Sequence, residues 1–340
     1  MTGDKERLRR VFYPLLAFYR WMQLNRTWQD GSYYSCGLAC GMDNQPRQPK
    51  GYNHLLSHGH MAWIDTCAQQ YMGADILLKM AQELGEEEKS DAAFLIPEKE
   101  MLGKCVNEKM WDEKEGFYFD TLRDGSHSSV KSIAAYWTLI ASLASKERAE
   151  RLCAHLDNES EFKRLHRVPA LPADDPNFHT DAGYWNGGVW APTNYMVLCG
   201  LHRHGCDLLA HEIASDYVRC VVEAFNESGT VFENYAPERA ARGIPSKDDF
   251  VGWTGLAPIS VFFEYVLGIR PDAQNNRIVW YVNRTEKHGI LQYPFGKTNT
   301  LDLICEARSS ADEEPVVHVT ATEPCAIELH YHGKIRIIRV

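Results

Sequence analysis

Two carboxylates stand out by the company they keep. Asp43 lies in "CGMDNQPR" and Glu233 in "FENYAPERAARGIPSKDDFVGW". Each stretch joins an acid to glycines, amides or aromatic side chains. Breaking a glycosidic bond needs a protonated acid on the leaving oxygen and, when the configuration inverts, a second carboxylate that activates water on the opposite face of the ring. Asp43 as general acid and Glu233 as general base could fill those roles, and their carboxyl groups would then lie about 6.5–9.5 Å apart. A third stretch, "GYWNGGVWAPTNY" at 183–195, supplies more of the same residue types. Trp63, Trp185, Trp190, Tyr235 and Trp253 offer flat apolar faces for pyranose rings, while Arg47, Asn186, Asn194 and Asn234 could bond hydroxyls. Asp65 and Tyr184 complete the candidate substrate contacts.

Each residue alone has a blander reading. An aspartate in a glycine-rich loop often closes an Asx-turn. Glu233 could be a surface or capping glutamate, Trp185 and Trp190 could be core, and Asp248 and Asp249 could cap the helix that follows. Their joint occurrence favours a site. To act as an acid near neutral pH, Asp43 needs surroundings that raise its pKa. Arg47 would oppose this if it faced Asp43, so it is expected to point to substrate or to a different acid. Tyr235 or a nearby amide is expected to fix the Glu233 rotamer.

These residues fall in loops between amphipathic helices. In "MAWIDTCAQQYMGADILLKMAQELG" the row Ile64, Ala68, Met72, Ile76, Met80 and Leu84 predicts a helix that stops at Gly85. Similar patterns cover 6–25, 90–110, 128–145, 146–157, 190–204, 207–226 and 253–267, about eight helices in all. Pro192 suits a first helical turn, whereas Pro14 and Pro97 weaken two of the others. Beyond residue 270 the texture changes to β-branched runs, "RIVWYV", "NTLDLICEA", "EPVVHVTA", "AIELHYH" and "IRIIRV", which predict a small antiparallel sheet. Two domains are expected, 1–270 helical and 271–340 β.

The chain has 36 basic and 46 acidic residues in 340, a net charge of −10. That field does not attract nucleic acid or anionic lipid. "MTGDKERLRR" lacks the apolar stretch of a signal peptide, and no segment approaches the roughly 18 apolar residues of a membrane span, so a cytoplasmic location is expected. Ten cysteines are too sparse for a disulfide scaffold and read as reduced thiols.

The stretches "CGMDNQPR", "GYWNGGVWAPTNY" and "FENYAPE…FVGWTG" resemble, in the same order, the signatures of the inverting α-glycosidases of glycoside hydrolase family 63 and the related trehalases of family 37. The resemblance spans roughly residues 8 to 268. It implies an (α/α)6 toroid with the site at one end, Asp43 as general acid, Glu233 as general base, an α-glucoside or α-mannoside as substrate, and no cofactor or metal. Family members commonly carry "YWRGPVW" where this chain has "YWNGGVW", so Asn186 replaces an arginine and Gly188 a proline, which leaves the sugar open. The helices counted here do not close a full toroid, and only 42 residues precede Asp43. The toroid is therefore expected to be incomplete, lacking N-terminal helices, with an apolar flank that a partner chain or a missing N-terminal segment would complete. Two alternatives remain: an epimerase or isomerase using His54, His58 and His60 of "NHLLSHGH", and a non-catalytic carbohydrate-binding remnant.

Overall fold

The computed structural model describes residues 4–340; the start of the N-terminal stretch in which no signal peptide was read, residues 1–3, lies outside them. Helix α1 (Lys5–Asn25) begins where the Asp4 side chain accepts a hydrogen bond from the Arg7 amide, the usual way to satisfy a first-turn donor. It runs through Pro14. The helices that follow are α2 (Gly37–Cys40), α3 (Ile64–Leu84), α4 (Glu86–Ala92), α5 (Leu95–Lys109), α6 (Trp137–Ile140), α7 (Lys146–Leu156), α8 (Ala191–Arg203), α9 (Asp207–Ser228) and α10 (Trp253–Val261). Pro97 falls in the first turn of α5 and Pro192 in the first turn of α8, where a missing N–H breaks no helical bond.

Helix α3 packs on α1, α5 and α6; α6 packs on α8; and α8 packs on α9 and α10. So α3, α6, α8 and α10 form an inner row, with α1, α5 and α9 behind it. The fold is mainly α, as expected, with the β region at its C-terminal end. Along α1, Val11, Leu15, Phe18 and Trp21 face solvent, an apolar strip of the kind an open arc of helices leaves.

Several boundaries differ from the sequence reading. The apolar row of α3 is not one buried face, for Ile76 is exposed while Cys67, Ala74, Leu77 and Ala81 are buried. A strict four-residue spacing drifts about 40° per step around a helix of 3.6 residues per turn, so the row winds out to solvent. The expected helix at 90–110 is split into α4 and α5. That at 128–145 reduces to a 3-10 turn at Ile133–Tyr136, started by a bond from the Ala134 amide to Ser132 Oγ, followed by the single turn α6. That at 253–267 passes from α10 into a π turn at Phe262–Val266.

The strands are β1 (Trp111–Asp112), β2 (Phe117–Tyr118), β3 (Ile269–Asp272), β4 (Arg277–Tyr281), β5 (His288–Phe295), β6 (Asn299–Cys305), β7 (Val317–Ala321), β8 (Ala326–Tyr331) and β9 (Lys334–Arg339). Strands β3 to β9 make two sheets, ordered β3-β4-β8-β9 and β5-β6-β7. Pairing is antiparallel except for β4 beside β8, where Ile278 lies opposite Ile327 in parallel register. The helical core ends at Val266 and the β core begins at Leu267.

Candidate active site

The loops that hold the candidate residues lie just before α3, α8 and α10, at the same end of the inner row. Helix α2 is a single turn closed by Gly41 at φ +73°, in the left-handed region that glycine enters without strain. A Cβ on Gly37 would sit 2.4 Å from His54 O and 2.5 Å from Asp43 O, so only glycine lets the turn fold back on both strands of chain. The turn delivers Asp43, half-buried, to the wall of a cavity of about 340 Å³ that Gln69, Tyr184, Trp185, Trp190 and Trp253 also line. Among the described residues none donates a hydrogen bond to the Asp43 carboxylate.

Its neighbours in sequence are committed. Asn44 donates to Gly183 O at 2.9 Å and accepts from the Trp185 amide at 2.9 Å, which binds the acid's loop to the "GYW" stretch. Gln45 donates to Ala170 O at 2.8 Å and accepts from Ser132 Oγ at 2.6 Å. Arg47 is buried, gives two bonds to Asp65 and two to Asp120 at 2.7–3.1 Å, and lies 4.5 Å over the Trp63 ring. Although burial opposes its charge, Asp120 and then Asp65 hold the guanidinium well above its ordinary pKa. Arg47 thus points to different acids, one of the two directions expected of it.

Tyr184 connects the two candidate acids. Its backbone sits at φ +66°, where a non-glycine residue is rare and strain tends to mark functional positions. Its hydroxyl donates to Glu233 Oε1 at 3.3 Å. Burial first, then the negative charges of Glu233 and Asp43, push this phenol up to about 12, so it remains a proton donor at any working pH. Glu233 itself is buried; its Oε2 accepts from the Lys247 amide at 3.4 Å, and its carbonyl accepts from Trp253 Nε1 at 2.9 Å. The glutamate rotamer is therefore held by Tyr184 and the Lys247 amide. Tyr235 does not do this: its hydroxyl accepts from the Phe232 amide at 3.2 Å inside the core.

Trp185 and Trp190 stack in parallel with ring centroids 3.9 Å apart, both nearly covered. Trp253 is 39% exposed and tilts 6.0 Å from Trp190, which leaves it as the open platform at the cavity. A Cβ on Gly188 would lie 2.2 Å from Tyr184 O, so the tight "NGG" turn fits this chain's glycine and would have to open for a proline.

Six sequence-predicted contacts are placed in the framework rather than on the cavity wall. Arg47 and Asp65 use their polar atoms on each other and on Asp120. Trp63 is buried and donates to His58 O at 3.1 Å. Asn194 spans Val168, accepting from its amide at 2.7 Å and donating to its carbonyl at 3.1 Å. Asn234 donates to Pro245 O at 3.0 Å, and Tyr235 is fixed as above. The reason is shared: interior loops need such side chains to absorb their backbone groups, although among the described residues the buried Asn234 Oδ1 finds no partner. Asn186 is not among the lining residues, and among the described residues its buried Oδ1 has no partner. Sequence reasoning missed Asn44 and Gln69, both inside stretches it quoted, and Asp120, which no motif flagged.

A larger cavity, of about 670 Å³, holds neither acid; Trp28, His60, Lys109 and Arg123 line it. His58 and His60 pack edge to face 4.7 Å apart beside Trp28, and among the described residues no group of three or more histidines, cysteines and acids is placed to hold a metal. No helix among the described residues is long and apolar enough to cross a membrane.

The family model for the mannosylglycerate hydrolase MGH1-like glycoside hydrolase domain matches residues 1–254. The chain belongs to this glycoside hydrolase family. The family 63 resemblance drawn from the three motifs agrees with it. An uncharacterised protein of Borreliella burgdorferi is 23% identical over 319 residues, covering 89% of this chain and 64% of its own length. The mannosylglycerate hydrolase of Rubrobacter radiotolerans is 28% identical over 193 residues, 55% of this chain and 40% of that protein. The chain therefore spans between two fifths and two thirds of these relatives. In fold it is similar to the GH63 mannosylglycerate hydrolase from Thermus thermophilus in complex with glucose, with a TM-score of 0.63 and 24% identity over 76% of this chain and 69% of that one.

Proposed function

We propose that this family 63 chain is an inverting α-glycosidase in which Asp43 protonates the leaving oxygen and Glu233 takes a proton from the attacking water. The observation that carries the reading is Tyr184, which shares the cavity wall with Asp43 and whose hydroxyl lies within the field of both carboxylates and bonds Glu233. As the bond to the aglycone breaks, Asp43 supplies the proton that makes the departing oxygen an alcohol. On the other face, Glu233 removes a proton from water as its oxygen attacks the anomeric carbon, and the Tyr184 bond keeps the glutamate aimed. Trp253 is the ring platform, and Trp185 and Trp190 form the apolar wall behind it.

A cavity of about 340 Å³ suits a single pyranose with a small aglycone. The relatives' names support an α-mannoside or α-glucoside, with mannosylglycerate as the first compound to try. Asp43→Asn and Glu233→Gln should each lower turnover of the accepted α-glycoside by about 10²–10⁴-fold while leaving the melting curve in place. Unchanged turnover in either variant removes the assignment. If Glu233→Gln remains active and a histidine variant of His58 or His60 does not, the epimerase or isomerase reading takes its place.

A further inference from the structure

Of the ten cysteines, all free, one pair has its sulfurs within hydrogen-bond distance among the described residues: Cys153 on α7 and Cys206 just ahead of α9, with Sγ atoms 3.2 Å apart. Neither is fully buried. We propose that these two thiols are a modification site, oxidised by a peroxide to an intrachain disulfide that fastens α7 to the turn between α8 and α9.

Position and neighbours divide the labour between them. Cys206 is the N-cap of the 22-residue α9, where the unpaired amides of the first turn favour a negative charge. The Cys153 thiol donates to it, and that bond brings the Cys206 thiol down to about 7 against the opposing effect of its own burial. Cys153 moves the other way, raised by the same bond and then by burial. Cys206 is thus the nucleophile and Cys153 the resolving thiol. In the first step the Cys206 thiolate attacks one peroxide oxygen; the O–O bond breaks, an S–O bond forms, and with hydrogen peroxide the leaving hydroxide is protonated to water. In the second, the Cys153 sulfur attacks Cys206 Sγ, the S–S bond forms, the S–O bond breaks, and the departing hydroxide takes up the Cys153 proton. Two thiols lose two electrons and one peroxide becomes two waters.

The sulfurs need to close from 3.2 Å to the roughly 2.05 Å of a disulfide, a small movement for two partly exposed side chains. The hinge is favourable, since Cys206 follows Gly205 at φ +72° in a short turn. The loop so closed, 153–206, contains Tyr184, Trp185 and Trp190. The modification therefore restricts the segment that carries half of the cavity wall without touching a residue of the cavity itself.

The full chain is treated with hydrogen peroxide, quenched, and mapped by mass spectrometry without reduction. The expected result is a Cys153–Cys206 crosslinked peptide, a melting temperature higher by about 4–10 °C, and reversal of both by dithiothreitol. Cys153→Ser and Cys206→Ser should each lose the crosslink and the rise. Where a serine variant does not fold, iodoacetamide labelling of the untreated chain near pH 7 gives the same answer, with Cys206 expected to react first. Crosslinks confined to other cysteines, an unchanged melting temperature on oxidation, or Cys206 reacting no faster than Cys36 would overturn the proposal.

Discussion

Asp43 shares a short motif with Arg47, the partner of Asp65 and Asp120, yet the surroundings of the one acid and of the pair differ in almost every respect. Asp65 and Asp120 are buried against Arg47, and the guanidinium bonds all four of their oxygens. Such acids keep one orientation, with their oxygens already taken up by the arginine. Asp43 lines a cavity with no donor on its carboxylate among the described residues, and its charge is felt by Tyr184, whose hydroxyl bonds Glu233. The difference teaches that proximity to an arginine in sequence says little about an acid's role. The direction in which the arginine folds decides which acid becomes framework and which is left facing the cavity.

Breaking the comparison at the free acids should have the largest effect. Asp43→Asn or Glu233→Gln is expected to lower kcat by about 10²–10⁴-fold with the fold intact, as measured by steady-state kinetics beside a thermal melt. Breaking it at the framework should do the reverse. Arg47→Met leaves two carboxylates buried and unpaired and is expected to cost about 3–5 kcal/mol in denaturant unfolding. Should Arg47→Met fold normally and lose only substrate affinity, the cluster belongs to the site after all. Tyr184→Phe sharpens the link between the acids. Removing the hydrogen bond that aims the glutamate should lower kcat about tenfold in steady-state kinetics, with the melting curve in place.

The smallest effect concerns a third locked acid. Burial opposes the charge of Glu161, but bonds from His155 and Lys131 hold its carboxyl down at about 2. A depressed carboxylate contributes stability above its unfolded pKa and loses it as pH falls, so this contribution should fade between about pH 4.5 and 2. At most about 3 kcal/mol is involved, and Glu161→Gln should flatten that part of the stability–pH curve.

How far the sequence carried this reading follows from the kind of signal each element emits. Helices α1, α3, α8 and α9 were legible because long amphipathic periods repeat over many turns, and the strands from β4 onward, β5 excepted, because β-branched runs alternate between turn residues. Strand β5 was hidden by the glycine and proline of "HGILQYPF", and β3 because it straddles the place where texture changes. The site was legible as three stretches, which bring Asp43, Tyr184, Trp185, Trp190 and Trp253 to one cavity. Roles within the stretches were not, since Arg47, Asn194 and Asn234 carry the same side chains whether they bind a sugar or satisfy a buried loop. Only the fold decides that. Asp120 gave no warning because an acid's partner 73 residues away leaves no local pattern.

The central claim, that Asp43 and Glu233 act from opposite faces of one sugar, is tested most directly by proton NMR of the first product formed from an accepted α-mannoside or α-glucoside. The account predicts the β-anomer before mutarotation, with no signal from Asp43→Asn or Glu233→Gln; initial release of the α-anomer would contradict it.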